Sequence, residues 1–213
     1  MVIAIDGPAA SGKSSVARKL ARRLGFSYVN SGAMYRAVTW ELLREQIDPG
    51  HLERVEAAVA RMSFDSGFTE KGESFIRINS EIPDVELRQI EVNQAVSPVS
   101  AIPAVRRLIG SRLRAMSEGR DVVMEGRDIG TAVFPEAPYK FYLDASPEIR
   151  RHRRAAQGQN DNLEHRDRID STRRVAPLAV APDAHVVDTS HLTLEGVVDK
   201  IASILKKSGI PAE

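Results

Sequence analysis

Gly7-Pro8-Ala9-Ala10-Ser11-Gly12-Lys13-Ser14 follows an apolar run, Met1 to Ile5, that Asp6 closes, and it leads through Ser15 into the helix-patterned VARKLARRLG. Few folds accommodate that order. The segment matches G-x-x-x-x-G-K-[ST] with a strand entering the loop and a helix leaving it. Glycines reach backbone angles that other residues avoid, so successive N–H groups turn inward and, with the positive end of the following helix, cradle phosphate oxygens. The spacing predicts nucleotide phosphate binding by Gly7, Pro8, Ala9, Ala10, Ser11, Gly12, Lys13, Ser14 and Ser15. Lys13 would reach the β- and γ-phosphates, and the Ser14 hydroxyl would hold Mg2+. A glycine-rich turn in some other α/β protein is the plainer alternative.

Phosphate chemistry in this chain must come from local charge, because 30 Lys and Arg stand against 29 Asp and Glu, a net charge of +1. That balance gives no argument for binding a nucleic-acid polymer or a membrane surface. With no cysteine, disulfides, thiolate metal sites and a thiol nucleophile are excluded. The 213 residues, 42% of them hydrophobic, are enough to bury one large core, with insertions. No basic segment followed by an apolar stretch opens the chain, and no run approaches a membrane span, so a cytoplasmic protein is expected.

Helix and strand signals alternate along the sequence. Val16, Leu20 and Leu24 recur at helical spacing and Gly25 supplies a stop; FSYVN (26–30) reads as a strand, and Asn30 or Ser31 can cap the next helix, GAMYRAVTWELLREQ. Arg36, taken alone, reads as a solvated helix cation. Leu52, Val55, Val59 and Met62 mark a further helix, after which the pattern changes. Phe75, Ile76, Ile78, Ile82 and Val85, with Gly67 and Gly72 at turns, predict a small antiparallel β excursion, for which an ordinary surface hairpin is the alternative. Helix then resumes, with breaks expected near Pro98 and Pro103 and an apolar face at Val105, Leu108, Ile109 and Leu113. Val122, Val123 and Met124 read as a buried strand. At its carboxyl end, where open α/β sheets bind ligands, stand Glu125, Gly126, Arg127 and Asp128. The competing reading is a surface Arg127–Asp128 ion pair. YKFYLD (139–144) and AHVVDTS (184–190) are the remaining strand signals, with Ser146 and Thr193 as caps for the helices that follow. Between them Arg150, Arg151, Arg153, Arg154, Arg166, Arg168, Arg173 and Arg174 flank a polar tip at Gly158, the pattern of a flap that closes over phosphates. A nucleic-acid patch would interleave aromatic residues here, and none are present.

The phosphate loop leaves a GTPase, an ATPase motor and a small-molecule kinase open. Against the first there is no N-K-x-D, and against the second no strand ending in D-E. The chain resembles the bacterial cytidylate kinases over nearly its whole length: IDGPAASGKSS (5–15), NSGAMYRA (30–37), NQAVSPVSAIPAVR (93–106), EGRDIGTAVFPEAPYKFYLDAS (125–146), RDRIDSTR (166–173) and APLAVAPDAHVVDTS (176–190). The resemblance implies a P-loop NTPase three-layer α/β sandwich with a parallel central sheet, helices on both faces, a small antiparallel β insertion and a helical lid. As one domain it would comprise a core (about 1–62, 90–150 and 175–213), a monophosphate-binding insertion (about 63–89) and a lid (about 151–174). The implied activity is ATP- and Mg2+-dependent phosphorylation of CMP and dCMP by a monomer. Another small kinase, of UMP or shikimate type, and a nucleotide-binding regulatory protein are the alternatives.

Position by position, the resemblance assigns Ser31 and Arg36 to the monophosphate, and Ser97, Arg106 and Asp128 to the cytosine. It assigns Arg166 and Asp170 to the sugar, and Arg127 and Arg173, with Lys13, to the transferred phosphoryl group. A carboxylate beside Arg and Ser is chemically apt for cytosine, which offers a donor amine next to acceptors. The sequence departs from the family pattern at Glu125, where Asp is more usual, and in a shorter polar segment between Arg154 and Arg166.

Overall fold

The structure, a computed structural model, describes residues 1–159 and 162–210. In chain order it begins with β1 (Val2–Asp6), α1 (Lys13–Leu24), β2 (Ser27–Asn30), α2 (Ser31–Arg44) and α3 (Leu52–Arg61). A hairpin follows, β3 (Phe64–Phe68) and β4 (Ser74–Ile78), then α4 (Ile90–Ser100), α5 (Pro103–Ser117), β5 (Val122–Gly126) and β6 (Tyr139–Asp144). The last elements are α6 (Pro147–Ala156), α7 (Leu163–Thr172), β7 (His185–Asp188) and α8 (Leu194–Lys207). Residues 160 and 161 of the polar tip lie outside the described residues.

β1 is central because it is apolar on both sides. Ile3 and Ile5 point to one face and Val2 and Ala4 to the other, so helices must cover both faces. The sheet order is β2-β5-β1-β6-β7 and every pairing is parallel, with Val2 opposite Val122 and Asp6 opposite Gly126. Leu20 of α1 and Val198, Ile201 and Leu205 of α8 pack with Ile3, Ile5 and Leu143 on one side. Met34, Val38 and Leu42 of α2 and Val105, Ile109 and Leu113 of α5 pack with Ala4, Val29 and Met124 on the other. Each fully buried Ile or Leu contributes about 1.5–3 kcal/mol, so the two apolar layers fix the sheet and thereby the loops at its carboxyl edge. Among the described residues no helix is long and apolar enough to cross a membrane.

The hairpin is more than a surface ornament. Phe64, Ile76 and Ile78 are buried in the α2 layer, and the Tyr28 N–H donates to the Gly72 carbonyl at 2.8 Å, so the hairpin turn covers the β2 edge. The expected alternation fails beyond Ile78: Ile82 is 54% and Val85 73% exposed. Asn79 and Ser80 have φ of 44° and 73°, which turns the chain out of the ladder before those residues. Pro98 also departs from expectation, since it sits inside α4 and breaks nothing. The Gln94 carbonyl loses one donor there, but the helix closes two residues later in a tight turn, Ala101 N–H to Pro98 O at 3.1 Å. Pro103 opens α5 at its first position, where no intrahelical donor is lost.

Candidate active site

Two adjoining cavities occupy the carboxyl edge of the sheet. The larger, about 570 Å3, is floored by the loop between β1 and α1; the smaller, about 50 Å3, lies between α2, α4, α7 and the end of β5. Arg36, Arg127 and Arg166 line both.

The loop geometry follows from its glycines. A Cβ at Gly7 (φ 148°) would fall 2.0 Å from the Leu143 carbonyl oxygen, so only glycine lets the chain leave β1 this close to β6. Gly12 (φ 96°) precedes α1 without any side-chain cap, which leaves the first N–H groups of the helix directed at the cavity. Lys13 is buried, its Nζ donating to the Pro8 carbonyl at 2.5 Å and to Ser11 Oγ at 3.4 Å. Burial, with Arg127 nearby, lowers its pKa to about 7 against the pull of Glu125, Asp6 and Asp167. Ala9 to Ser15 line the cavity; Gly7 and Pro8 do not.

Ser14 Oγ donates to Glu125 Oε1 at 2.7 Å. A hydroxyl beside a buried carboxylate is an oxygen donor pair that suits a hard cation such as Mg2+, which takes its remaining ligands from phosphate and water. Among the described residues no group of three or more His, Cys, Asp or Glu gathers, so these two would be the protein's contribution.

The cations expected at the site are drawn together. Arg36 is half-buried in the cavity wall, which corrects its reading as a solvated helix cation, and it makes no hydrogen bond or ion pair among the described residues. Burial and the guanidiniums of Arg166, Arg127 and Arg154 lower its pKa to about 9. Arg127 and Asp128 do not pair with one another. Arg127 Nε donates to Asp170 Oδ2 at 3.1 Å; burial opposes its charge, but Asp170, Glu125 and Asp167 outweigh burial and hold it above its ordinary range. Asp128, 3% exposed, accepts from Arg173 Nη2 at 3.0 Å and from Arg106 Nη2. Burial lowers the Arg173 pKa although Asp128 counteracts it. Arg166 and Asp170 are both buried on α7, so they are no solvated surface pair. Ser31, Ser97 and Asp128 line the smaller cavity with them, and Ser31 Oγ is anchored by donating to the Glu125 carbonyl at 2.8 Å. Arg106 stands one layer back, fixed to the Ser100 carbonyl and 5.7 Å from the Tyr35 ring.

This arrangement accompanies a clear sequence relationship. The cytidylate kinase family pattern matches residues 3–207. The chain belongs to the cytidylate kinase family. The cytidylate kinase of Mycolicibacterium paratuberculosis is 44% identical, covering 97% of this chain and 96% of the relative. That of Caldanaerobacter subterraneus is 42% identical over 97% and 95%. Among solved structures, shikimate kinase from Acinetobacter baumannii in complex with shikimate aligns over 99% of this chain and 95% of that one, with a TM-score of 0.49 and 15% identity, a distance at which no residue is carried across.

Several residues at the site escaped the sequence reading. Asp167 accepts the Ala9 N–H at 3.3 Å and pairs with Arg150 of the expected flap, which donates to the Ala9 carbonyl at 3.3 Å, so α6 and α7 together hold both backbone groups of one phosphate-loop residue. Arg153, already named as a flap arginine, donates to the Ser11 and Thr189 carbonyls. Thr189, Leu192, Leu194 and Val197 complete the larger cavity; their signal was their place just after the last strand of the sheet. Asp6 is a further omission. It is buried, accepts the Ile129 and Gly130 N–H groups at 2.8 and 2.7 Å, and has its pKa raised to about 6 by burial although those bonds oppose the rise.

Proposed function

We propose that this protein phosphorylates CMP and dCMP with ATP and Mg2+, by direct in-line transfer of the γ-phosphoryl group. The observation that carries this reading is the pair of adjoining cavities with three shared arginines: a phosphate loop floors one, and a carboxylate flanked by two guanidiniums closes the other. Lys13 and the loop N–H groups would hold the β- and γ-phosphates. Ser14 and Glu125 would hold Mg2+, which when bound neutralises phosphate charge. Arg36, Arg127 and Arg166 stand where the two substrates' phosphates meet, and Arg173 stands beside them. Positioning and charge stabilisation suffice for such a transfer, since a phosphate nucleophile is already ionised near neutral pH and needs no general base.

Asp128 is assigned the cytosine amine, with Arg106 and Ser97 beside it, and Asp170 with Arg166 the sugar. At about 50 Å3 the acceptor cavity is well below the roughly 300 Å3 lower bound for ligand clefts, so one of its walls, α2, α4 or α7, has to move outward to admit a nucleotide. The same reading takes about 151–174 as a lid and about 63–89 as the monophosphate-side insertion of one core. It also takes the chain as a cytoplasmic monomer acting on small molecules, with no polymeric nucleic acid or membrane as partner. Incubation with ATP, Mg2+ and a panel of CMP, dCMP, UMP, AMP and shikimate tests it. Rapid phosphorylation of CMP and dCMP alone is expected; comparable use of UMP or shikimate, or no transfer at all, would sink it.

A further inference from the structure

The turn that carries Arg127 and Asp128 out of β5 has an unusual cap. Residues Ile129–Val133 form one wide helical turn, closed by Val133 N–H to the Asp128 carbonyl at 3.1 Å and Phe134 N–H to the Ile129 carbonyl at 2.7 Å. Asp128 occupies the position before that turn, where aspartate is a preferred residue because its own carboxylate can accept the first free N–H groups. Here it makes no such bond. Its two oxygens face away, to Arg173 and Arg106. The vacant capping role is filled from 123 residues away: Asp6 Oδ1 accepts the Ile129 N–H and Oδ2 the Gly130 N–H.

Register and packing make this possible. Asp6 lies opposite Gly126 in the β1–β5 ladder, beside the point where the turn leaves the sheet. A side chain at Gly130 would bring its Cβ to 3.4 Å from Asp6 Oδ2 and 3.1 Å from Lys140 Cδ. The charged groups around Asp6 are Lys13 and Asp128, while the Lys140 ammonium is turned away to Pro135 and Asp183. Stability alone does not call for an ion here, since burial disfavours its charge. An ionised carboxylate is the group that offers one acceptor to each N–H and no competing donor.

We propose that Asp6 is a positioning residue for base selection: by capping the Ile129 turn in place of Asp128, it leaves the Asp128 carboxylate free to meet Arg106, Arg173 and the pyrimidine. This rests on the assignment of Asp128 to the base made above. Without the Asp6 carboxylate the Ile129 and Gly130 N–H groups lose their acceptor, and the turn that sets the Asp128 carboxylate against Arg106 and Arg173 loses its anchor.

The test is a double-mutant cycle read as the ratio of kcat/KM for CMP over UMP, with ATP affinity measured in parallel. Asp6→Asn, and Asp6→Ser as a second variant with a neutral cap, should each lower that ratio roughly tenfold, the low end for a charge-assisted hydrogen bond. KM for ATP should change less than about twofold. In an Asp128→Ala background the same Asp6 changes should move the ratio by less than about twofold, because the residue through which Asp6 acts is gone. Losses that multiply independently, equal losses for CMP, UMP and ATP, or failure of both variants to fold would make Asp6 a residue of general stability and overturn the proposal. If Asp128→Ala alone leaves the ratio unchanged, the assignment of Asp128 falls and this proposal with it. If Asp128→Ala collapses the ratio while both Asp6 variants preserve it, only the role of Asp6 is lost.

Discussion

Asp6 and Lys13 sit at the two ends of one loop, and burial shifts them in opposite directions, the acid up to about 6 and the amine down to about 7. Both shifts disfavour the charged form, and loss of hydration on burial is the main cause of each. For Asp6 the consequence for stability has a definite sign. Its folded-state pKa lies above the ordinary 3.8, so between those values the native chain binds more protons than the unfolded chain and stability falls as pH rises. The cost is absent below the unfolded value and complete above the folded one, and two pKa units correspond to about 3 kcal/mol. Urea unfolding of wild type and Asp6→Asn from about pH 4 to about pH 7 should therefore show the wild type losing roughly that much relative to the variant. A difference that stays flat with pH would mean that Asp6 titrates as an exposed carboxylate does.

At the scale of elements, α7, like α2, lines both cavities, and it also reaches the phosphate loop. Arg166 and Asp170, four residues apart, share a face toward the smaller cavity, while Asp167 on the adjoining face reaches the Ala9 N–H of the phosphate loop. Asp170 also holds Arg127, so under the proposed assignment it would serve the sugar and the phosphate junction together. Asp170→Ala should lower kcat/KM for CMP and dCMP alike by roughly tenfold or more, the magnitude for losing a hydrogen bond to a charged group. A mere helix brace would cost about 0.2–0.5 kcal/mol of stability and leave kinetics alone. Steady-state kinetics on both monophosphates at saturating ATP decide, and unchanged constants would remove the role. The helix itself was legible from its arginines, and the strands from Val122-Val123-Met124 and YKFYLD, because local periodicity reports burial directly. Periodicity could not report where α4 ends: the alternation of helix and proline suggested a break at Pro98, but packing of Val96 and Val99 into the α2 layer carries the helix past it.

Across the whole molecule the charges divide by location. On the outer surface cations find acids: Arg18 and Arg22 meet Glu73, which ties α1 to the hairpin, and Lys19 and Arg23 meet Glu195 and Asp199, which tie α1 to α8. Such exposed pairs are worth at most about 1 kcal/mol each. In the cavities the arginines crowd one another, and Arg36 is the clearest case, its pKa lowered first by burial and then by its neighbours' charge, and without an ion-pair partner among the described residues. That crowding explains why the site was only partly legible. Motif spacing found the phosphate loop, and family resemblance found Arg36, Arg127, Asp128 and Arg166. Asp6 and Asp167 act on backbone groups more than a hundred residues away, and no local pattern encodes such partners. The same division yields a test that needs no nucleotide. With a net charge of only +1, general salt has little repulsion to relieve, whereas a polyphosphate seated between Lys13 and the arginines relieves it locally. Inorganic pyrophosphate at about a hundred times its Kd should stabilise the fold by about 2.7 kcal/mol, which raises Tm by roughly 5–10 °C for a chain of this size. Sodium chloride at matched ionic strength should not reproduce the rise, and Arg36→Gln should blunt it. Equal melting temperatures in pyrophosphate and chloride would mean that the clustered arginines do not form an anion site.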